Sequence, residues 1–158
     1  MPYKVIIERN TLRFAAAHFA TFEDSCEPLH GHNYQVIVEV EGELTDVGWL
    51  FDFGALKAMT RELCKELDHK FLLQRDSKVL KIDEGKTNWK IRYEAKGWVF
   101  PKEDVIALPI SNSTAEQLAK WFAERIRGRL EERGASNITS LAVGIEEMPG
   151  QAGWYREP

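Results

Sequence analysis

From His32 to Glu41 the chain alternates, with Tyr34, Val36, Val38 and Val40 on one side and Asn33, Gln35, Ile37 and Glu39 on the other. That is the period of a strand with one buried face. Tyr3 to Glu8 and Thr11 to Phe19 also read as strands, and Asn10 between them predicts that the two form a hairpin. The polar stretch Thr21 to Pro28 predicts a loop. Beyond Asp52, a residue suited to capping a helix N-terminus, the period changes: Leu56, Met59, Leu63 and Leu67 recur at helical spacing up to Asp68. Ser113 and Glu116 have the spacing of a capping box ahead of Leu118, Trp121, Phe122, Ile126 and Leu130, which predicts a second helix ending before Gly134. Ile138 to Glu147 alternates as a last strand. Between Leu72 and Pro109 the pattern is mixed, and Trp89 to Tyr93 with Val105 to Leu108 predict a hairpin of short strands, Lys96-Gly97 being the turn signal. The order strands, helix, strands, helix, strand fits an α+β fold, an antiparallel sheet with two helices packed on one face.

A length of 158 residues suits a single domain, and 44% hydrophobic with 29% charged residues lies in the range of folded globular chains. The formal net charge of −4 argues against wholesale nucleic-acid binding. The start, MPYKVIIERN, lacks the apolar stretch of a signal peptide and no run of eighteen apolar residues occurs, so a cytoplasmic, non-membrane protein is expected. Two cysteines, Cys26 and Cys64, are too few for a disulfide framework. Cys64 falls inside the first helix beside its apolar stripe, where an inert structural role is expected; Cys26 falls in a polar loop.

Only four histidines occur, and three of them lie in FAAAHFA and HGH, segments already read as strands or strand ends. In an extended chain His30 and His32 point to the same face, Gly31 between them leaves room for close backbone approach, and His18 on a neighbouring strand can supply a third imidazole. Three neutral imidazoles suit Zn²⁺ and leave its fourth position open, as a catalytic site requires. An isolated H-x-H is more often surface chemistry, but Cys26 stands four residues before His30, where a nearby metal would lower a thiol pKa and make it a usable base.

The ordered set FAAAH, CxxxHGHNY, GWLFDFGALK, LDHKFL, NSTAEQLA and IEEMPGQAGWY resembles the 6-pyruvoyl-tetrahydropterin synthase and 6-carboxy-tetrahydropterin synthase family through most of the chain. The resemblance implies that His18, His30 and His32 bind zinc and that Cys26 abstracts a proton. It implies that Asp68 and His69 form a second acid/base unit, the carboxylate orienting and charging the imidazole; from the residues alone the pair reads as a helix C-terminal cap. The family's pterin-holding glutamate is matched by Glu147, which alternation places with Val143 and Ile145 and opposite Glu146; a carboxylate there can accept two parallel hydrogen bonds from a 2-amino-pyrimidinone edge. Thr114 matches a position near the pterin in relatives, and Glu116 is accounted for by the capping box.

The implied substrate is 7,8-dihydroneopterin triphosphate. One branch of the family retains the side chain as a pyruvoyl group; the other cleaves it to a carboxylate and acetaldehyde and feeds 7-deazaguanine and queuosine synthesis. The three-residue gap between Cys26 and His30 resembles the carboxy branch. Two features depart from the pattern: Phe19 stands where relatives often carry arginine, and the stretch at about 74–109 reads as an insertion or extended hairpin, so a relative acting on another dihydropterin is an alternative. The rival of another class is a non-catalytic zinc-binding regulator of the same fold. Relatives form trimers whose sheets close a barrel, paired into hexamers, so a homo-oligomer is expected.

Overall fold

The computed structural model describes residues 2–9 and 11–158. The Asn10 turn predicted between the first strands lies outside the described residues. The strands are β1 (Tyr3–Ile7), β2 (Arg13–His18), β3 (His30–Gly42), β4 (Lys70–Gln74), β5 (Lys81–Glu84), β6 (Asn88–Tyr93), β7 (Lys96–Pro101), β8 (Val105–Leu108), β9 (Ile138–Met148) and β10 (Gln151–Arg156); the helices are α1 (Phe53–Leu67) and α2 (Ala115–Glu132).

A seven-stranded sheet runs β10-β9-β3-β2-β4-β8, with β1 also paired to β3. The alternation in β3 is realised in full: Tyr34, Val36, Val38 and Val40 are completely buried, and Val36 and Val38 stand opposite Ile145 and Val143 of β9. Against this face pack Leu56, Leu63 and Leu67 of α1 and Leu118, Phe122, Ile126 and Leu130 of α2. Each such burial contributes about 1.5–3 kcal/mol. Asp52 caps α1 as predicted, its carboxylate accepting from the Ala55 N–H at 2.9 Å.

Three expectations are corrected. The first two strands are not a hairpin: β1 pairs with residues 38–42 and β2 with residues 30–35 of the same edge of β3, and the Leu12 carbonyl between them accepts from the Val36 N–H at 2.8 Å. A thirteen-residue partner lets both short strands run forward along it, so the chain between them has nothing to reverse for. The main sheet is mostly antiparallel, as expected, with parallel pairing confined to β2 with β4 and β4 with β8.

The strand at Val105–Leu108 therefore joins the main sheet, and β6 instead makes its hairpin with β7 through a turn at Glu94-Ala95, where Glu94 takes φ 51°. Lys96 and Gly97 are strand residues. The N-cap lies one residue later than predicted: Thr114 accepts from the Gln117 N–H at 3.3 Å, while the Gln117 amide oxygen accepts from the Ser111 and Asn112 N–H groups ahead of the helix. Ser113 and Glu116 are thereby released from that role.

Residues 81–101 form a separate three-stranded sheet, β5-β6-β7. It closes over a second apolar cluster that holds Phe19, Cys26, Phe71, Trp89, Ile91 and Tyr93. Trp98 stacks on Phe19 with ring centroids 4.4 Å apart, and Phe100 stacks on Phe71 at 4.5 Å. Phe19 thus has a packing partner that only the additional sheet provides. Among the described residues no helix is long and apolar enough to cross a membrane.

Candidate active site

In the β2–β3 register His18 stands opposite His30, and Ala16 opposite His32. Alternation turns all three imidazoles to the face that carries the core. Their ring centroids are 4.8–5.2 Å apart, and the ligand nitrogens lie within 4.8 Å of one another. Gly31 serves the close approach expected of it, since a Cβ there would meet the Ala16 carbonyl oxygen at 3.1 Å.

Hydrogen bonds fix which nitrogen faces the cluster. His18 Nδ1 lies 2.8 Å from the Ser113 carbonyl and His30 Nδ1 lies 2.7 Å from the Pro28 carbonyl. A carbonyl only accepts, so each Nδ1 carries the proton and each Nε2 keeps its lone pair. The Nε2 atoms of His18 and His32 are buried without a hydrogen-bond partner. Two buried, unpaired nitrogens converging with a third imidazole fit a metal ion, and the cluster can hold one through His18, His30 and His32.

Ser113, released from capping, is a supporting residue that sequence reasoning missed. It is fully buried, its carbonyl orients His18, and its hydroxyl donates to the Phe19 carbonyl at 3.0 Å. Buried Gln74 on β4 donates to the same Phe19 carbonyl at 3.0 Å.

Burial pulls the His18 pKa down to about 4, the Ser113 carbonyl opposing and the neighbouring histidines adding to the shift. His18 is therefore held neutral, the form that ligates. An unfolded His18 would take a proton near pH 6.5, so the unfolded chain binds more protons between that pH and about 4. Stability present above pH 6.5 is accordingly lost as pH falls through this window, by roughly 3 kcal/mol in the metal-free protein. Imidazole NMR titration of chelator-treated protein will show one histidine ionising near pH 4 alongside a falling unfolding free energy. A His18 resonance that titrates near 6.5 contradicts this.

Glu147, at the end of β9, turns to the histidine face, and Glu146 turns away toward the opposite one. The Glu147 carboxylate oxygens stand 3.7 Å from His32 Nε2 and 4.0 Å from His18 Nε2. A cavity of about 400 Å³ opens beside it, lined also by Glu27, Thr114 and the Ala152–Gly153 backbone.

Glu27 is a second residue missed by sequence reasoning. Thr21 and Cys26 form an isolated antiparallel bridge, and Glu27 pairs with Ala20 through its N–H and its carboxylate, at 3.0 and 2.7 Å. Adjacent residues point to opposite sides, so Glu27 lines the cavity beside Glu147 while Cys26 packs in the second apolar cluster. Burial pushes the Cys26 thiol above its ordinary range, with Lys96 pulling the other way. Reading residues 21–28 as a loop hid this alternation. Cys64 is buried in α1 and its thiol is pushed up to about 12 by burial.

Asp68 and His69 lie elsewhere. Asp68 is the C-cap of α1, and its carboxylate accepts from the Ala15 N–H at 2.8 Å and holds His69 Nδ1 at 3.0 Å. The backbone hydrogen bond to Ala15, followed by His69, keeps the Asp68 carboxyl below its usual range. His69 takes φ 60°, a left-handed conformation uncommon outside glycine, while its N–H donates to the Ala15 carbonyl. Its side chain is 82% exposed and lines an open cleft of about 1090 Å³ with Arg13, Asn33, Gln35 and Glu146. These residues belong to the face of the sheet opposite His18, His30 and His32. One chain thus brings the histidines together with Glu147, Glu27 and Thr114, and holds the Asp68-His69 pair apart from them.

A family model described as 6-pyruvoyl tetrahydropterin synthase matches residues 7–158. A Methanocaldococcus jannaschii protein provisionally named 6-carboxy-5,6,7,8-tetrahydropterin synthase is 40% identical over 147 residues, 92% of this chain and 90% of its own length. A Pyrococcus furiosus dihydroneopterin monophosphate aldolase is 32% identical over 117 residues, 74% of this chain and 71% of its own. Among solved structures, a Plasmodium vivax 6-pyruvoyltetrahydropterin synthase in which a catalytic glutamate is replaced by alanine superimposes with a TM-score of 0.95 at 30% identity, covering 99% of this chain and 98% of that one. With the three-histidine cluster, the curled and mostly antiparallel sheet and the sequence match in agreement, the chain belongs to the 6-pyruvoyl tetrahydropterin synthase family of pterin-processing lyases.

Proposed function

We propose that this chain is a zinc-dependent lyase converting 7,8-dihydroneopterin triphosphate and one water to 6-carboxy-5,6,7,8-tetrahydropterin, triphosphate and acetaldehyde, in 7-deazaguanine and queuosine synthesis. The observation that carries this reading is the convergence of two unpaired buried imidazole nitrogens with Glu147 on one face beside a cavity. Zinc held by His18, His30 and His32 would supply a Lewis acid that acidifies the side-chain hydroxyls and adjacent C–H bonds of the substrate.

The protein's own groups do the rest. Glu147 holds the 2-amino-pyrimidinone edge through two parallel hydrogen bonds, with Thr114 beside it at the cavity wall. Cys26 takes a proton as thiolate, a role that requires its side chain to leave the second apolar cluster. The Asp68-His69 pair returns a proton, Asp68 fixing the imidazole through Nδ1 and leaving Nε2 for the transfer. Because that pair lies on the opposite face from the histidines, a second copy of the chain in a homo-oligomer supplies it. Edge strands β8 and β10 of the main sheet are free to pair between copies and so close a barrel.

Glu27 favours a second reading. It faces the cavity where Cys26 does not, and a carboxylate base suits retro-aldol cleavage of a dihydroneopterin side chain to 6-hydroxymethyl-dihydropterin and a two-carbon aldehyde. The P. furiosus aldolase and the P. vivax enzyme with its catalytic glutamate are in keeping with it. Product analysis separates the two. Acetaldehyde formed by wild type and lost in Cys26→Ala, by about 10²-fold or more, supports the carboxy reading. Glycolaldehyde or its phosphate, lost in Glu27→Gln but not in Cys26→Ala, establishes the aldolase reading instead. Unchanged zinc content with no turnover of any dihydropterin by wild type sinks both and leaves the non-catalytic regulator.

A further inference from the structure

The Glu147 carboxylate is placed where a pterin anchor alone has no reason to be. His18 Nε2 carries a lone pair, because its Nδ1 proton is committed to the Ser113 carbonyl, yet a carboxylate oxygen faces it at 4.0 Å. The second oxygen of the same group faces His32 Nε2 at 3.7 Å, and neither nitrogen has a hydrogen-bond partner. Both separations exceed hydrogen-bond length. Negative oxygens turned toward a nitrogen lone pair repel one another unless positive charge lies between them. Two atoms bound to one tetrahedral zinc, with bonds of about 2.0–2.2 Å, stand roughly 3.3–3.5 Å apart. The observed 3.7 and 4.0 Å are longer than that and reach His18 and His32, so the carboxylate stands just outside the three-histidine cluster, a short side-chain movement from it.

From this geometry we infer that Glu147 is the fourth ligand of the resting metal centre and leaves it when a pterin binds, one carboxylate serving metal and substrate in turn. This rests on the pterin reading above and deepens it. The exchange has a physical use. While the site is empty the carboxylate fills the open coordination position and neutralises one unit of the ion's charge. When the 2-amino-pyrimidinone edge offers two N–H donors, the carboxylate turns to them and the freed position becomes available to the side-chain hydroxyls. The position on the strand permits the swing: β9 ends one residue after Glu147, at a turn whose Gly150 takes φ 90°, and the side chain is about a quarter exposed.

The test uses the full-length protein loaded with Co²⁺ or Zn²⁺ and needs no turnover. In Glu147→Gln the cobalt visible spectrum will acquire a pH-dependent transition near 7 from a bound water that wild type lacks, and zinc affinity by chelator competition will fall about tenfold or more. Adding pterin itself to the wild-type cobalt protein will move its spectrum toward that of the variant, a measurement that does not depend on the variant's folding. The inference is overturned if wild type and Glu147→Gln share the same water ionisation and the same zinc affinity. It is also overturned if pterin binds wild type, seen as fluorescence quenching, and leaves the cobalt spectrum unmoved; the pterin reading then still stands. A wild-type protein that pterin does not quench at all overturns the pterin reading itself, and is recognised separately because the pH titration and the chelator competition contain no pterin.

Discussion

His32→Ala will lose the metal and the activity together, with zinc absent from the purified protein by elemental analysis and turnover reduced by about 10³-fold or more, the scale expected when an electrophile worth several kcal/mol is removed. His32 is the better choice than His18 for the experiment. His18 is almost wholly buried and its Nδ1 satisfies the Ser113 carbonyl, so deleting it leaves a cavity and an unpaired acceptor in the core and confounds metal loss with unfolding. The His32 side chain is 17% exposed, and its removal strips a ligand while the β2–β3 ladder stays intact. Retained folding by circular dichroism with lost zinc is the expected pair of results. A His32→Ala protein that keeps stoichiometric zinc and full turnover would remove the three-histidine centre from the chemistry.

Mixing two dead proteins will restore activity. His69→Ala alone is expected to lower turnover by about 10²–10⁴-fold, the range for a positioned acid/base group, while leaving zinc content unchanged. His32→Ala alone is inactive for the reason above. When the two are unfolded, mixed in equal amounts and refolded, a site built from the histidine face of one chain and the Asp68-His69 cleft of another will be intact in about one quarter of cases, if chains assort at random. A site contained in one chain gives no recovery, since every polypeptide in the mixture carries one lesion. The expectation follows from the backbone: Ala15, Asn33 and Gln35 line the His69 cleft, whereas His18, His30 and His32 alternate to the other side of the same two strands. Zero recovery in demonstrably mixed oligomers would overturn the shared site.

Much of the histidine centre was legible because it depends on short-range rules. Two histidines separated by one residue on a strand share a face whatever the rest of the fold does, and Glu147 shares a face with Val143 and Ile145 by the same rule. The helices were legible from their apolar stripes and from Asp52. What failed depended on partners distant in the chain. The hairpin between β1 and β2 was predicted from neighbouring strands and a turn residue, but β3 is long enough to accept both in succession. β4 is not legible as a strand from its pattern, because KFLLQ is buried along nearly its whole length between β2 and β8 and shows no alternation. Phe19 stood out in the sequence only as a departure; its partners Trp98 and Phe71 belong to elements about 80 and 50 residues away.

Which residues share a face is written in the sequence: periodicity is a property of the local backbone, so the common face of His30 and His32, the core of β3 and the stripes of α1 and α2 follow from spacing alone. Which faces meet, including that of His18 with those of His30 and His32, depends on the fold. It places Ser113 behind His18, puts Glu27 rather than Cys26 toward the cavity, and sets Asp68-His69 across the sheet from the three histidines. Those outcomes turn on strand pairing, parallel crossovers and the cover provided by β5-β6-β7. Pairing is chosen by the total burial it achieves across the whole chain, and no window of sequence contains that sum.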